Sequence, residues 1–290
     1  MKMNKIEGFG QVYKAHSDSY TVKIGTEFFR CGARGVLKLK GNGISVGDFV
    51  SVSNGVITSV KDRKNHFIRP NVSNVDLVVA VFSIQPKPDF YLIDKLLINS
   101  TKEDVEFIIV VNKNDISGEL FEKIKMEYSP LGVEVLSVSA KTGQGLIELK
   151  ESLKGKLAVL AGQSAAGKTS IVNNLFGLDL KTGEISSKIS RGKHTTTRSE
   201  IFECDGVKVI DSPGFAVLDA DINIKDLPNY YLEYVNVANL CKYRGCTHTG
   251  EPECKVKELV DAGVLSKERY DRYLFIYNEI SKRSIIYEKN

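Results

Sequence analysis

Residues 110–117 read VVNKNDIS. The valines close an apolar run, VEFIIVVN at 105–112, and the chain then turns polar at Asn112, Lys113, Asn114 and Asp115. A buried strand ending in amides, an ammonium and a carboxylate offers three ligand-binding chemistries at one sheet edge. Three other runs share its character: VDLVVAVF at 75–82, VEVLSVS at 133–139 and KLAVLAG at 156–162. Each has strand length and continuous apolar residues, and helix-length segments separate them, which predicts alternating β/α units around a parallel sheet. Open sheets of this kind bind ligands beyond the carboxyl ends of their strands. Site residues are therefore expected where these runs stop.

The last run stops at GQSAAGKTS, residues 162–170, followed by the helix-like SIVNNLFG. Strand, glycine-containing loop and helix are the setting in which the pattern GxxxxGK[ST] cradles phosphates. Backbone N–H groups along Gly162, Gln163, Ser164, Ala165, Ala166, Gly167, Lys168, Thr169 and Ser170 are expected to wrap the phosphate oxygens. The Lys168 ammonium would reach the β- and γ-phosphates and the Thr169 hydroxyl a Mg2+ ion. Two further strands, SEIFEC and VKVIDS, flank the turn Asp205-Gly206. The second ends at Asp211, a second Mg2+ ligand, in the sequence DSPG, where Gly214 can turn its N–H toward a γ-phosphate. Between loop and Asp211 lies HTTTR, whose Thr195, Thr196 and Thr197 supply hydroxyls for the same ion. An alanine at position 165 is compatible with the cradle if its φ is negative.

Asn112–Asp115 and the segment Ser139, Ala140 and Lys141 both follow apolar strands and belong at the same sheet edge. Asp115 can accept the ring N–H and the exocyclic amine of guanine. Asn112 braces the loops, with Asn114 beside it; the Lys113 stem lies along the base, and N–H groups at 139–141 meet the guanine oxygen. Five segments converge on GTP or GDP, with the base-reading pair ahead of the phosphate loop. The expected domain is therefore an α/β P-loop GTPase of circularly permuted chain order.

Length and composition allow more than this one domain, since 290 residues can form two or three cores. Residues 8–60 alternate in short segments broken by Gly, Asn, Ser and Asp, which predicts a five-strand barrel of the oligonucleotide-binding (OB) type. Residues 1–70 carry twelve Lys/Arg against five Asp/Glu, within a chain of net charge +4. Either a polyanionic partner sits there, with Arg34, Lys38 and Lys40 on one loop, or the surface is simply basic and solvated. Five cysteines without an extracellular signature, three of them crowded beside a histidine, point to metal rather than disulfides. Cys241, Cys246, His248 and Cys254, with four, one and five residues between them, suit tetrahedral Zn2+, the alternative being unmetallated thiols. Cys31 and Cys204 fall in strand-like segments and read as core. Beyond them, Tyr270, Tyr273, Leu274 and Tyr277 share a helix face behind the cap Ser266. No run is long enough to span a membrane and no signal peptide opens the chain, so a cytoplasmic protein is expected.

The order NKND, SAKTG, GQSAAGKTS, HTTT and DSPG, ahead of a Cys-x4-Cys-x-His-x5-Cys tail, resembles the small ribosomal subunit biogenesis GTPase RsgA (YjeQ/YloQ) family over essentially the whole chain. The resemblance implies an OB-fold RNA-binding domain at 1–70, a permuted GTPase domain at 71–218 and a helical zinc-binding domain at 219–290. It also implies one structural Zn2+ and GTP hydrolysis stimulated by the small (30S) ribosomal subunit during late maturation. The partners expected are that subunit and its rRNA, with no membrane, and the protein acts as a monomer. Phe215 stands where many GTPases hold a water-orienting glutamine. His194, matching the family's switch-loop histidine, is the candidate replacement; the alternative is that it contacts RNA or solvent. Catalysis is thus assigned to His194, Thr196 and Asp211. Two rivals remain: an RNA chaperone in which nucleotide only sets affinity, and a phosphoryl-transfer enzyme such as a kinase, which needs no guanine reader.

Overall fold

A computed structural model describes residues 6–16, 19–35, 37, 43–68, 70–178, 199–211 and 222–287, with residues 211 and 283–287 described by backbone alone. The short alternating segments form β1 (Gly8–Ala15), β2 (Tyr20–Ile24), β3 (Glu27–Ala33), β4 (Phe49–Ser53) and β5 (Val56–Val60). They run in the order β1-β2-β3-β5-β4, and β4 returns to β1 with Gly8 opposite Val52. Closure makes a barrel and leaves no unpaired edge around its core of Val12, Val22, Cys31, Val50 and Ile57. A small ribbon, β6 (His66–Phe67) with β7 (Val72–Ser73), leads out of it.

The buried runs become β8 (Leu77–Ser83), β9 (Glu106–Asn112), β10 (Glu134–Ser137) and β11 (Leu157–Ala161). Between them lie α1 (Phe90–Lys102), α2 (Glu119–Tyr128) and α3 (Leu146–Leu153); α4 (Lys168–Phe176) follows β11. The hairpin β12 (Glu200–Cys204) and β13 (Val207–Asp211) turns at Asp205-Gly206 as expected. Across the sheet the order is β10-β9-β8-β11-β13-β12, parallel except for β12. Successive β8 residues alternate between faces. Val78, Ala80 and Phe82 pack under α1 and α2, while Leu77, Val79 and Val81 pack under α3 and α4. Both faces being covered explains why these strands are apolar throughout.

The chain steps outward from β8 through β9 and β10, then returns to β11 on the other side of β8 and continues to β13. The strand order thus reverses between β8 and β11, and the crevice at such a reversal is where sheets of this class hold ligands. On the other flank, β12 pairs with β1 at Glu200 and Lys14, so barrel and parallel sheet form one continuous sheet. Glu203 secures the seam by accepting the Tyr13 hydroxyl and the Lys23 ammonium, each at 2.5 Å. Cys204 is exposed rather than in a core, because it ends β12 at the solvent-exposed turn Asp205-Gly206; Cys31 is buried as expected.

Three helices close the chain: α5 (Leu232–Val235), α6 (Lys255–Asp261) and α7 (Lys267–Tyr287). Ser266 caps α7, its hydroxyl accepting the Arg269 N–H at 3.2 Å. Tyr231, Tyr234, Tyr270 and Tyr273 form a buried ring cluster that also takes in Ile98 of α1. A charge cluster beside it joins this module to the parallel sheet's helices. Asp94 of α1, fully buried, meets Arg269 and Arg272 of α7 and accepts the Tyr128 hydroxyl at 2.8 Å; Glu233 and Glu127 complete the pairing. Removing the central carboxylate leaves two guanidinium groups sharing a largely dry site with one carboxylate each, Glu233 and Glu127, and breaking a buried pair of this kind costs about 3–5 kcal/mol. Asp94→Ala should therefore strip hydrogen-exchange protection from α7 while β8, β9 and β11 stay protected. Unchanged protection of α7 would show that apolar packing alone holds the module.

Candidate functional site

At the carboxyl edge of the sheet, three loops from distant parts of the chain are hydrogen-bonded together. The Asn112 amide, ending β9, donates to the Ala166 carbonyl at 2.9 Å and accepts the Ala140 N–H at 3.0 Å. Lys113, at φ +62°, donates to Gln85 at 2.6 Å and to Ala165 at 2.9 Å. The Asn114 N–H meets the Val138 carbonyl at 3.2 Å. Asp115 is exposed, and its carboxylate accepts the hydroxyl of buried Ser139 at 2.6 Å. That bond orients the carboxylate and leaves its second oxygen to receive donors from a ligand.

The phosphate-binding pattern occupies the turn from β11 into α4. Gly162 passes so close to β8 that a Cβ would stand 2.2 Å from the Val81 carbonyl. At Gly167 a Cβ would meet the Asn112 amide at 2.2 Å, so the glycine is what admits the bracing side chain. Lys168 donates to the carbonyls of Gly162 and Gln163, both at 2.7 Å, and Thr169 and Ser170 form the first turn of α4. Ser164 and Lys141 are exposed. Ala165 departs from expectation, taking φ +61° where a negative angle was required. Left-handed backbone costs an alanine about 1–2 kcal/mol. The bonds from Lys113 and Asn112 to the carbonyls of residues 165 and 166 hold it there, so the loop keeps its turn despite the missing glycine.

β13 runs parallel to β11 with Ile210 opposite Val159, so Asp211 leaves the sheet at this same edge. His194, Thr195, Thr196, Thr197, Gly214 and Phe215 lie outside the described residues, as do Lys38 and Lys40 of the barrel loop. One further residue joins the site, and Gln163 makes contacts beyond the phosphate loop. Asn174 of α4 donates to the Ala140 carbonyl at 3.0 Å, tying the phosphate-loop helix to segment 139–141. Gln163 clasps the loop before α1, accepting the Asp89 N–H at 3.1 Å and donating to Lys87 at 2.9 Å. Asn174 carries no sequence signal, and the clasp made by Gln163 depends on a neighbour far away in the chain.

The second site is in the C-terminal module. The ligand atoms of Cys241, Cys246, His248 and Cys254 all lie within 4.8 Å of one another. His248 Nδ1 stands 3.7 Å from the Cys241 sulfur and 3.4 Å from that of Cys254. Tetrahedral coordination with bonds of about 2.1–2.3 Å has edges of roughly 3.4–3.8 Å, so the donor set fits one ion. Burial pushes the Cys246 thiol up to about 12 and His248 below its ordinary value, so the imidazole is neutral and the sulfur needs a cation to ionise. The loop is pinned around the ligands. Burial would raise the Glu251 carboxyl, but bonds from the Thr247 hydroxyl and from the N–H groups of Thr247, Thr249 and Gly250 hold it down to about 2. Tyr270 donates to the His248 carbonyl at 2.7 Å and Tyr273 to that of Thr247.

With this geometry in hand, comparison with known proteins is direct. Residues 60–221 match the family model described as RsgA GTPase, and residues 9–57 match the RsgA N-terminal domain. A Geobacillus kaustophilus protein named "Small ribosomal subunit biogenesis GTPase RsgA" is 39% identical, across 94% of this chain and 98% of its own. A Clostridium botulinum protein of the same name is 38% identical over 93% and 97%. Among solved structures, YjeQ from Thermotoga maritima superposes with a TM-score of 0.79 at 36% identity, covering 94% of this chain and 98% of that one. YloQ, described as a circularly permuted GTPase, gives 0.77 at 30% identity over 98% of both.

A short loop segment with few apolar residues cannot hold the Cys/His cluster closed by packing alone; a structural metal supplies on the order of 10 kcal/mol. Cys246→Ser should therefore release the C-terminal module, seen as rapid proteolysis beyond residue 222, while residues 75–178 stay resistant. Absence of stoichiometric metal in the purified wild-type protein would refute the assignment.

Proposed function

The chain belongs to the RsgA GTPase family, and on that premise we propose that it hydrolyses GTP on the small ribosomal subunit during late maturation, the subunit stimulating hydrolysis and hydrolysis releasing the protein. The observation that carries this reading is the junction at Asn112, where base-reading, guanine-oxygen and phosphate loops become one surface. Asp115 accepts two N–H groups of guanine, and from segment 139–141 the Lys141 N–H meets its oxygen, those of Ser139 and Ala140 being given to Gln144 and Asn112. The N–H groups of residues 162–170 surround the phosphates, with Lys168 on the β- and γ-phosphates. Thr169 and Asp211 hold Mg2+, which offsets the charge developing on the phosphate oxygens. Three thiolates and an imidazole select Zn2+, with a structural role, since all four positions are filled by protein.

Residues 1–70, 71–218 and 219–290 act as barrel, GTPase and zinc units of a cytoplasmic monomer. Among the described residues no helix is long and apolar enough to cross a membrane. The barrel and the zinc module contact rRNA, which accounts for the basic N-terminal segment. His194 orients the attacking water and Thr196 closes on the ion. Signal can pass through the fold because α2 starts four residues after Asp115 and ends at the Glu127 and Tyr128 contacts of the α7 charge cluster.

The deciding experiment is GTP turnover with and without purified small subunits. Alone, the protein should turn over at roughly 10⁻⁴–10⁻² s⁻¹, as GTPases lacking an ordered catalytic residue do. Small subunits should raise that rate at least tenfold, and His194→Ala should abolish the rise while leaving GTP affinity unchanged. A rate indifferent to small subunits would leave nucleotide as a mere affinity switch and overturn the proposal.

A further inference from the structure

An open cleft of about 500 Å³ lies where the barrel meets the amino-terminal ends of β11 and β13, at the sheet edge opposite the nucleotide site. That volume falls in the range of small-ligand sites, roughly 300–1,000 Å³. One wall is Phe49, 37% exposed, which stacks on Phe9, 54% exposed, with ring centroids 5.9 Å apart and planes within 9°. Two parallel, partly exposed rings on adjacent strands thus stack on each other, and Phe49 presents the pair to the cleft. Basic groups rim it. Lys64 is paired with Asp76, whose other oxygen accepts the Leu157 N–H at 2.7 Å. Lys61 and Lys208 make no ion pair among the described residues, and with Asp62 they leave the cleft one positive charge in excess.

We propose that this cleft receives one unstacked nucleotide of single-stranded RNA, its base on Phe49 and its flanking phosphates against Lys61 and Lys208. An aromatic platform with adjacent cations is how proteins hold single-stranded nucleic acid without reading sequence. Placement at the seam gives the contact a consequence. The nucleotide would bridge Phe49 and Lys61 of the barrel side and Lys208 of the parallel sheet and so favour one arrangement of the two. The inference rests on the RNA-binding reading above and adds to it a particular site.

The chain contains no tryptophan, so Phe49→Trp places a single reporter on the platform. Titration with a six-nucleotide single-stranded oligoadenylate should quench it saturably. Salt should weaken the effect, and adding Lys61→Ala and Lys208→Ala should flatten that salt dependence by about one unit of slope per lost phosphate contact. Phe28→Trp, another exposed barrel ring, should not be quenched. With an end-labelled oligomer, Phe49→Leu should bind about tenfold more weakly than wild type, and Phe49→Tyr should match it. If wild type binds the oligomer but Phe49→Trp is not quenched, or both tryptophans are quenched alike, the cleft proposal is wrong and RNA binding stands. If the oligomer binds nowhere, both fall. Quenching by ribosomal proteins freed of RNA, but not by the oligomer, would make this a protein-binding cleft and overturn the proposal.

Discussion

One side-chain amide organises the nucleotide site. Asn112 bonds the phosphate loop with its nitrogen and the 139–141 loop with its oxygen, and is itself buried at the end of β9. Each bond is worth only about 1 kcal/mol net. Leaving either partner unmade in a buried position costs more than that, so the three loops are fixed together or not at all. Gly167 must lack a Cβ for the amide to fit, and Ala165 is held in a left-handed turn by the same contacts. The permuted chain order does not disturb this. What the site needs is β9 next to β8 and β8 next to β11, and those neighbours are selected by burial on both faces of the sheet, whichever strand comes first in the chain.

The two flanking modules attach by different physics. The barrel joins through a continued hydrogen-bond ladder at β1–β12 and through Glu203, an arrangement near the surface and open to water. The C-terminal module joins through apolar rings and the buried charges around Asp94. Desolvating those charges offsets much of their attraction, so the net stability comes from the ring cluster, while the charges specify how α7 lies across α1 and α2. The metal site sits at the far end of the same cluster, since Tyr234 packs edge-on against His248 at 5.6 Å and stacks on Tyr231, the ring beneath Arg269. The Cys/His cluster, the rings, the charges and the helix that follows Asp115 are therefore in unbroken contact.

Much of this is written in local pattern. Continuous apolar runs imply a sheet covered on both sides, short alternating runs imply the barrel, and GQSAAGKTS and the Cys/His spacing each carry their chemistry within a few residues. What local pattern omits is anything set by the neighbouring strand. Asn174 looks like an ordinary polar residue until β10 brings Ala140 to it, and the motif that contains Gln163 says nothing of its bonds to Lys87 and Asp89. Asp94 reads as one acid on an amphipathic helix, and its two arginines lie 175 and 178 positions away. Ala165 takes a positive φ against its intrinsic preference, because the contacts from Lys113 and Asn112 to residues 165 and 166 decide it. Cys204 has a strand-like setting that suggests a core, but it ends its strand at the exposed Asp205-Gly206 turn.

The central claim is that Asp115, standing ahead of the phosphate loop in the chain, reads guanine at a site completed by that loop. Its direct test is a competition titration of GTP against xanthosine triphosphate with wild type and Asp115→Asn. The substitution replaces an acceptor oxygen with a donor, which mismatches guanine and matches the carbonyl that xanthine carries in place of the amine. The variant should lose at least tenfold in GTP affinity, roughly 1.4 kcal/mol or more, and gain affinity for the xanthine nucleotide. Lys168→Ala should weaken both nucleotides alike. An Asp115→Asn variant with an unaltered preference for GTP would mean that residues 112–115 do not contact the base and that the shared loop junction is not the guanine site.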